Sequence, residues 1–196
     1  RIFYWFMSIG IGSMIDVRVM FFVPVMWLAM FFHLQSMTLR TFISSLFGLV
    51  CPYWFVAVYL IYTNDITLAV EHFSQLAVFG KVANFSQVPV SALVSICYIT
   101  ILSVVGIIHY LRNRVFDKTR TRMFYNTFIL FDIFTIAFII LQPQHYATML
   151  IILIVTTSPL IAHFIALTHT WITNLAFKVI VATALSLTII NILQLI

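Results

Sequence analysis

Along this chain apolar runs alternate with short polar breaks, and most of the runs are longer than a strand or a buried core helix needs. Seven of them, residues 2–15, 19–34, 42–62, 88–110, 126–141, 146–168 and 175–194, read as helices that cross a lipid bilayer. Hydrocarbon has no water to bond a free N–H or C=O, so a crossing segment pairs its backbone within itself. About 20 residues of helix span the core. The first run is short for a crossing and opens on Arg1 rather than Met. It reads as the end of a membrane helix in an excerpt of a longer chain. The second and fifth runs are also short, and are expected to sit in locally thinned bilayer or to extend by a turn at either end.

The connection 63–87 carries a different pattern. Ile66, Ala69, Val70, Phe73, Leu76 and Ala77 recur at helical spacing, Glu71, His72 and Gln75 take the other side, and Gly80 is placed to end the helix. This predicts an amphipathic helix on the outer membrane surface, either a lid across the mouth of the bundle or a cap over a lipid or substrate cleft. The expected fold class is therefore all-α: a polytopic transmembrane helical bundle of about seven spans plus one amphipathic interfacial helix, forming a single transmembrane domain over residues 1–196.

Composition agrees. Of the 196 residues 63% are hydrophobic and 8% charged, whereas a soluble domain carries roughly a quarter of its residues charged to face water. A cytosolic enzyme, a secreted disulfide scaffold and a disordered tail are excluded. The net charge of +5 does not point to nucleic acid, because five of the ten Lys and Arg fall between Arg112 and Arg122, in a short loop between two apolar runs. A cytoplasmic loop is the reading. Alternation then places eight of the ten cations inside, with Arg18 and Lys81 outside, as the positive-inside rule asks of a bacterial inner-membrane protein. Arg112, Arg114, Lys118, Arg120 and Arg122 can also grip anionic lipid head groups, at about 1 kcal/mol each, or a phosphorylated lipid carrier; topology determination alone accounts for them equally.

Prolines and small residues shape the spans. Pro52 and Pro159 each lack an N–H and crowd the carbonyl four residues earlier, so each marks an expected helix kink. The pairs Ser8 with Gly12 and Ser44 with Gly48 allow close helix approach. Cys51 and Cys97 lie in apolar runs without ligand spacing and read as packing residues.

An ionisable side chain inside a bilayer costs about 2.5–3.5 kcal/mol at mid-helix, which makes each one a functional candidate. Asp132, His163 and Lys178 stand out, and helical rise puts all three in the inner leaflet. The expectation is that Asp132 meets His163, Lys178 or both across the last three helices, as a site or as interhelical glue. His33, His109, His145 and His169 read as interfacial. No HxxxH, HExxH, GxSxG or phosphate-binding glycine loop occurs, so no metal, cofactor or catalytic residue is expected.

Leu39-Arg40, Gly48, Pro52-Tyr53 and Tyr59, within LRTFISSLFGLVCPYWFVAVYLIYT, and the stretch SPLIAHFIALTHTWITNLAF from Ser158 to Phe177 resemble an uncharacterised multi-pass inner-membrane protein family of Bacteroidota. That resemblance implies a membrane bundle and no particular chemistry. The leading functional reading is a non-catalytic inner-membrane component or accessory subunit, with lipids and a possible membrane-protein partner around it. The rivals are a small-solute or lipid transporter, which needs a cavity reaching the midplane, and a polyprenyl-phosphate-dependent glycosyltransferase or polymerase-like enzyme. The enzyme needs an external acid, Asp65 or Glu71, pointing into a groove beneath the 63–87 helix.

Overall fold

A computed structural model describes residues 1–167 and 171–193. Among the described residues there are eight α-helices and no strand: α1 (Ile2–Ile15), α2 (Phe22–Phe32), α3 (Leu39–Thr63), α4 (Ile66–Ser74), α5 (Val90–Asn113), α6 (Thr119–Leu141), α7 (Tyr146–Leu167) and α8 (Trp171–Leu193). Five segments are long and apolar enough to cross a membrane, within α3, α5, α6, α7 with the turn before it, and α8; two shorter apolar helices cover 2–15 and 17–32. The protein is an all-α bundle of apolar helices. His169 and the predicted span ends Thr168 and Gln194 lie outside the described residues.

The predicted second run is a 3₁₀ turn, Val17–Phe21, followed by α2. Asp16 starts the turn by accepting from the Arg18 N–H at 3.0 Å. Pro24 stands in the first turn of α2, where a missing N–H costs nothing. The predicted fifth run begins seven residues too late. Helix α6 starts at Thr119, so Arg120 and Arg122 are helical rather than loop; long cationic side chains reach the interface from a helical turn as readily as from a loop. The amphipathic helix is present as α4 with a 3₁₀ turn, Gln75–Ala77, and ends before Gly80.

Two compact units divide the chain, Arg1–Lys81 and Val82–Ile196. In the first, α1 lies against α3 with almost no side-chain layer between them. A Cβ on Gly48 would fall 2.4 Å from the Phe3 carbonyl, and one on Gly10 would fall 2.8 Å from the Leu49 carbonyl and 3.1 Å from Pro52 Cγ. The buried stripe is thus Gly10 and Ser13 on α1 against Ser45, Gly48 and Pro52 on α3. Gly48 is where small-residue spacing put it, but Ser8 is exposed and Gly12 meets only Val19. Helix α3 runs unbroken through Pro52, whose ring fills the notch at Gly10. Helix α2 covers the pair through Phe6, Val23 and Met30, and Trp27 Nε1 donates to Ser45 Oγ at 3.1 Å.

In the second unit α7 packs against both α5 and α6, and α8 lies along α5. Gly106 gives the α5–α7 crossing its closeness: a Cβ there would sit 2.9 Å from Leu160 Cβ. Tyr98 Oη donates to the Ile180 carbonyl at 2.8 Å and Asn191 Nδ2 to Ser95 Oγ at 3.2 Å, tying α8 to α5. Helix α7 buries Met149, Leu153, Thr156, Thr157, Leu160 and His163, a mixture of apolar and polar side chains, while many large apolar side chains of this unit face outward. The buried positions are Ser103, Gly106 and Tyr110 on α5 and Asp132, Thr135 and Ile139 on α6. Phe47, Phe55, Ile101, Ile151, Val155 and Leu185 are each more than half exposed. That arrangement is stable where the surroundings are as apolar as the side chains.

The α1–α3 contact makes a measurable claim. Gly48→Ala is expected to destabilise the protein by about 1–3 kcal/mol, the usual cost of overpacking, and to lower the thermal midpoint in detergent. Gly12→Ala should leave the midpoint unchanged or raise it.

Candidate functional site

Asp132 lies near the middle of α6 and is completely buried. At about 1.5 Å per residue it is roughly 20 Å from the start of the helix, so the earlier onset of α6 puts it near mid-helix rather than near one end. Both carboxyl oxygens face hydroxyls from the two neighbouring helices. Ser103 Oγ of α5 donates to Oδ2 at 2.7 Å and Thr157 Oγ1 of α7 donates to the same oxygen at 3.2 Å, while Thr156 Oγ1 donates to Oδ1. Thr156 also lies against the Ile152 and Leu153 carbonyls, at 3.0 and 3.2 Å, one turn before Pro159. Helix α7 continues through that proline. A carboxyl held by three hydroxyls joins α5, α6 and α7 at one level.

The expected pairing of Asp132 with His163 is not what the structure contains. Helices α6 and α7 run antiparallel, so Thr156 is level with Asp132 while His163 is level with Tyr125, two turns nearer the basic loop; those ring centroids are 4.8 Å apart. His163 Nε2 donates to Asp117 Oδ2 at 3.2 Å, drawing the α5–α6 connection onto α7. Tyr110, Tyr125 and His109 pack edge-on around the imidazole. Lys178 is exposed on α8 and belongs to neither group. The three intramembrane ionisable residues therefore occupy three places: a mid-helix knot, a loop-side ion pair and an outer face.

The two levels are separated. Gly106 and Leu160 meet between them, and Leu160 is fully buried. A Cβ on Gly106 would fall 2.9 Å from Leu160 Cβ, so α5 and α7 touch closely at this point.

The five cations do not form one cluster. Arg114 and Arg122 line a pocket of about 440 Å³ with Tyr110, Val115, Thr119, Met123 and Asn126. Arg112 lines a second pocket, with His109, Asn113 and Phe164 among its walls. Arg120 lies over the Phe124 ring at 5.9 Å, and Lys118 is exposed at the start of α6.

In the first unit, α4 covers an apolar pocket of about 320 Å³ lined by Met14, Val56, Ala57, Leu60, Leu68, Ala69 and Phe73, with Tyr53 and His72 at its polar end. Tyr53 Oη and Ser13 Oγ are 2.7 Å apart, and His72 Nε2 donates to the Ser13 carbonyl at 2.9 Å, which pins the surface helix to α1. Asp65 and Glu71 are exposed and do not line the pocket. Among the described residues no three His, Cys, Asp or Glu side chains are placed to hold a metal ion.

No protein-family model matches the chain, and no curated protein or solved structure matches it either.

Sequence reasoning missed Ser103, Thr157, Asp117 and the Ser13–Tyr53–His72 contact. Two signals were present. Ser103 stands three residues before Gly106 on one small-residue face, and Asp117 is the only acid among the five cations of 112–122.

The geometry assigns the couplings. In a double-mutant cycle on detergent stability, Asp132→Asn with Thr156→Val is expected to show an interaction of about 0.5 kcal/mol or more. Asp132→Asn with His163→Ala should be additive within about 0.5 kcal/mol. The reverse pattern would place the carboxyl beside the imidazole.

Proposed function

We propose that this chain is a non-catalytic component of a bacterial inner membrane, an accessory subunit whose polar residues hold helices together rather than move a solute. The basic segment 112–122, at the α5–α6 junction, faces the cytoplasm in this reading, and the exposed apolar faces of α3, α5, α7 and α8 meet lipid or a membrane-protein partner.

One observation carries the proposal: Asp132 is fully buried with both carboxyl oxygens held by hydroxyls of α5 and α7, apart from the loop-side His163–Asp117 pair. A proton or ion route needs polar groups or water in continuous reach, and a solute route needs a cavity at the level of its binding groups. Here the carboxyl is fully buried and both its oxygens are occupied by hydroxyls. The lipid-carrier enzyme reading needs an acid in the pocket beneath α4, and that pocket is lined by apolar side chains, a phenol and an imidazole. The resemblance to the Bacteroidota membrane family agrees with the setting and adds no activity.

Reconstitution decides between a structural knot and a relay. Proteoliposomes of the full chain loaded with a pH-sensitive dye are expected to hold an imposed pH gradient as long as protein-free vesicles do. A gradient that collapses with the wild type and survives with Asp132→Asn would replace the accessory reading with transport.

A further inference from the structure

We propose that Arg114 and Arg122 form a binding site for a single phosphate group, of the kind carried by an anionic lipid head group, at the α5–α6 junction. This goes beyond the accessory reading and does not depend on which side of the membrane the loop faces. Five features converge on the pocket. Two guanidinium groups line one concavity of about 440 Å³ together with the Thr119 and Asn126 side chains, and planar guanidinium forks match phosphate oxygens two at a time.

Arg122 is already oriented, because its Nη2 donates to Thr119 Oγ1 at 3.3 Å, yet its Nε is buried with no hydrogen-bond partner. That nitrogen is closed to solvent, so the donors left for a ligand oxygen are the Nη hydrogens, of which one is used at Thr119. Tyr110 is fully buried and shares its hydroxyl proton between the Arg122 carbonyl at 3.2 Å and Asn126 Oδ1 at 3.1 Å. That contact fixes the backbone at Arg122 and turns the Asn126 amide so that Nδ2 remains a donor.

The wall of the pocket at Thr119 is the first residue of α6, a helix of 23 residues whose N-cap, Lys118, supplies no side-chain acceptor. The positive end of the helix dipole therefore lies beside the pocket wall. Finally, the one acid of the loop, Asp117, is held by His163 at 3.2 Å, so it is committed to an imidazole rather than to either arginine. Arg120, over the Phe124 ring, and Lys118 stand apart and provide internal controls.

The test uses the full chain in neutral detergent, with native mass spectrometry counting what is retained on titration with dioleoylphosphatidylglycerol, dioleoylphosphatidylcholine or inorganic phosphate. One phosphatidylglycerol should be held in preference to phosphatidylcholine. Arg114→Gln/Arg122→Gln should weaken that binding about tenfold or more, on the strength of two surface cations, while Lys118→Gln/Arg120→Gln changes it less than about twofold. Arg122→Lys keeps the charge but loses the fork, and should weaken binding as well. Retention of inorganic phosphate alone, lost in the Arg114/Arg122 variant, would assign the same site to a soluble phosphate. Equal phosphatidylglycerol binding by the wild type and the Arg114/Arg122 variant, or equal losses in both double variants, would overturn the site and leave only diffuse attraction. Either result leaves the pH-gradient measurement untouched.

Discussion

A polar group in hydrocarbon is costly unless it finds a partner inside the protein, and this constraint accounts for where the carboxyl of Asp132 and the hydroxyls around it sit. In water the large aliphatic residues would be driven inward; in lipid they gain little by it, and helix association rests on close backbone approach and on internal hydrogen bonds. The interfaces here are built that way. Gly10 and Gly48 let α1 and α3 touch backbone to backbone, and Gly106 does the same for α5 and α7. The polar residues then occupy the seams: Ser13 with Tyr53, Trp27 with Ser45, and Asp132 with Ser103, Thr156 and Thr157. The carboxyl is the extreme case. Replacing water around both of its oxygens takes donors from two helices at once, so its presence fixes the register of α5, α6 and α7 together.

Hydropathy made the helices legible because length and apolarity are properties of one segment at a time. The predicted runs coincide with the observed helices apart from their ends, and the amphipathic pattern of 66–77 folds as α4 and its following turn. Partners were less legible because they depend on rotation and level between segments. Depth along a helix can be counted, but the count needs the correct start. Placing the onset of α6 at Asn126 instead of Thr119 set Asp132 too shallow and brought it, on paper, level with His163. Small-residue spacing had a similar weakness. It found Gly48, and chose Ser8 and Gly12 on a neighbouring face of α1 rather than Gly10 and Ser13, since every third or fourth residue of such a helix is a candidate.

The basic stretch shows the same divide between sign and geometry. Five cations in a row predict a membrane-side loop whatever their orientation, but one of them sits over a phenyl ring, one lies in a pocket with His109, and two share a concavity with a phenol and an amide. Asp117, the acid of this stretch, hydrogen-bonds His163 rather than either of those two arginines. Packing thus encloses the carboxyl of Asp132, whereas Arg114 and Arg122 line a pocket.

The central claim is that hydrocarbon surrounds the exposed faces of these helices. Cys97, exposed on α5 in a groove lined by isoleucines, reports on it directly. In a Cys51→Ser chain held in membrane vesicles open to solvent on both sides, a charged, water-soluble maleimide should leave Cys97 unlabelled until detergent or denaturant is added. A cysteine introduced by Lys118→Cys in the same vesicles should label at once. Labelling of Cys97 in intact vesicles at the rate of that loop position would mean that water, not lipid, covers this surface.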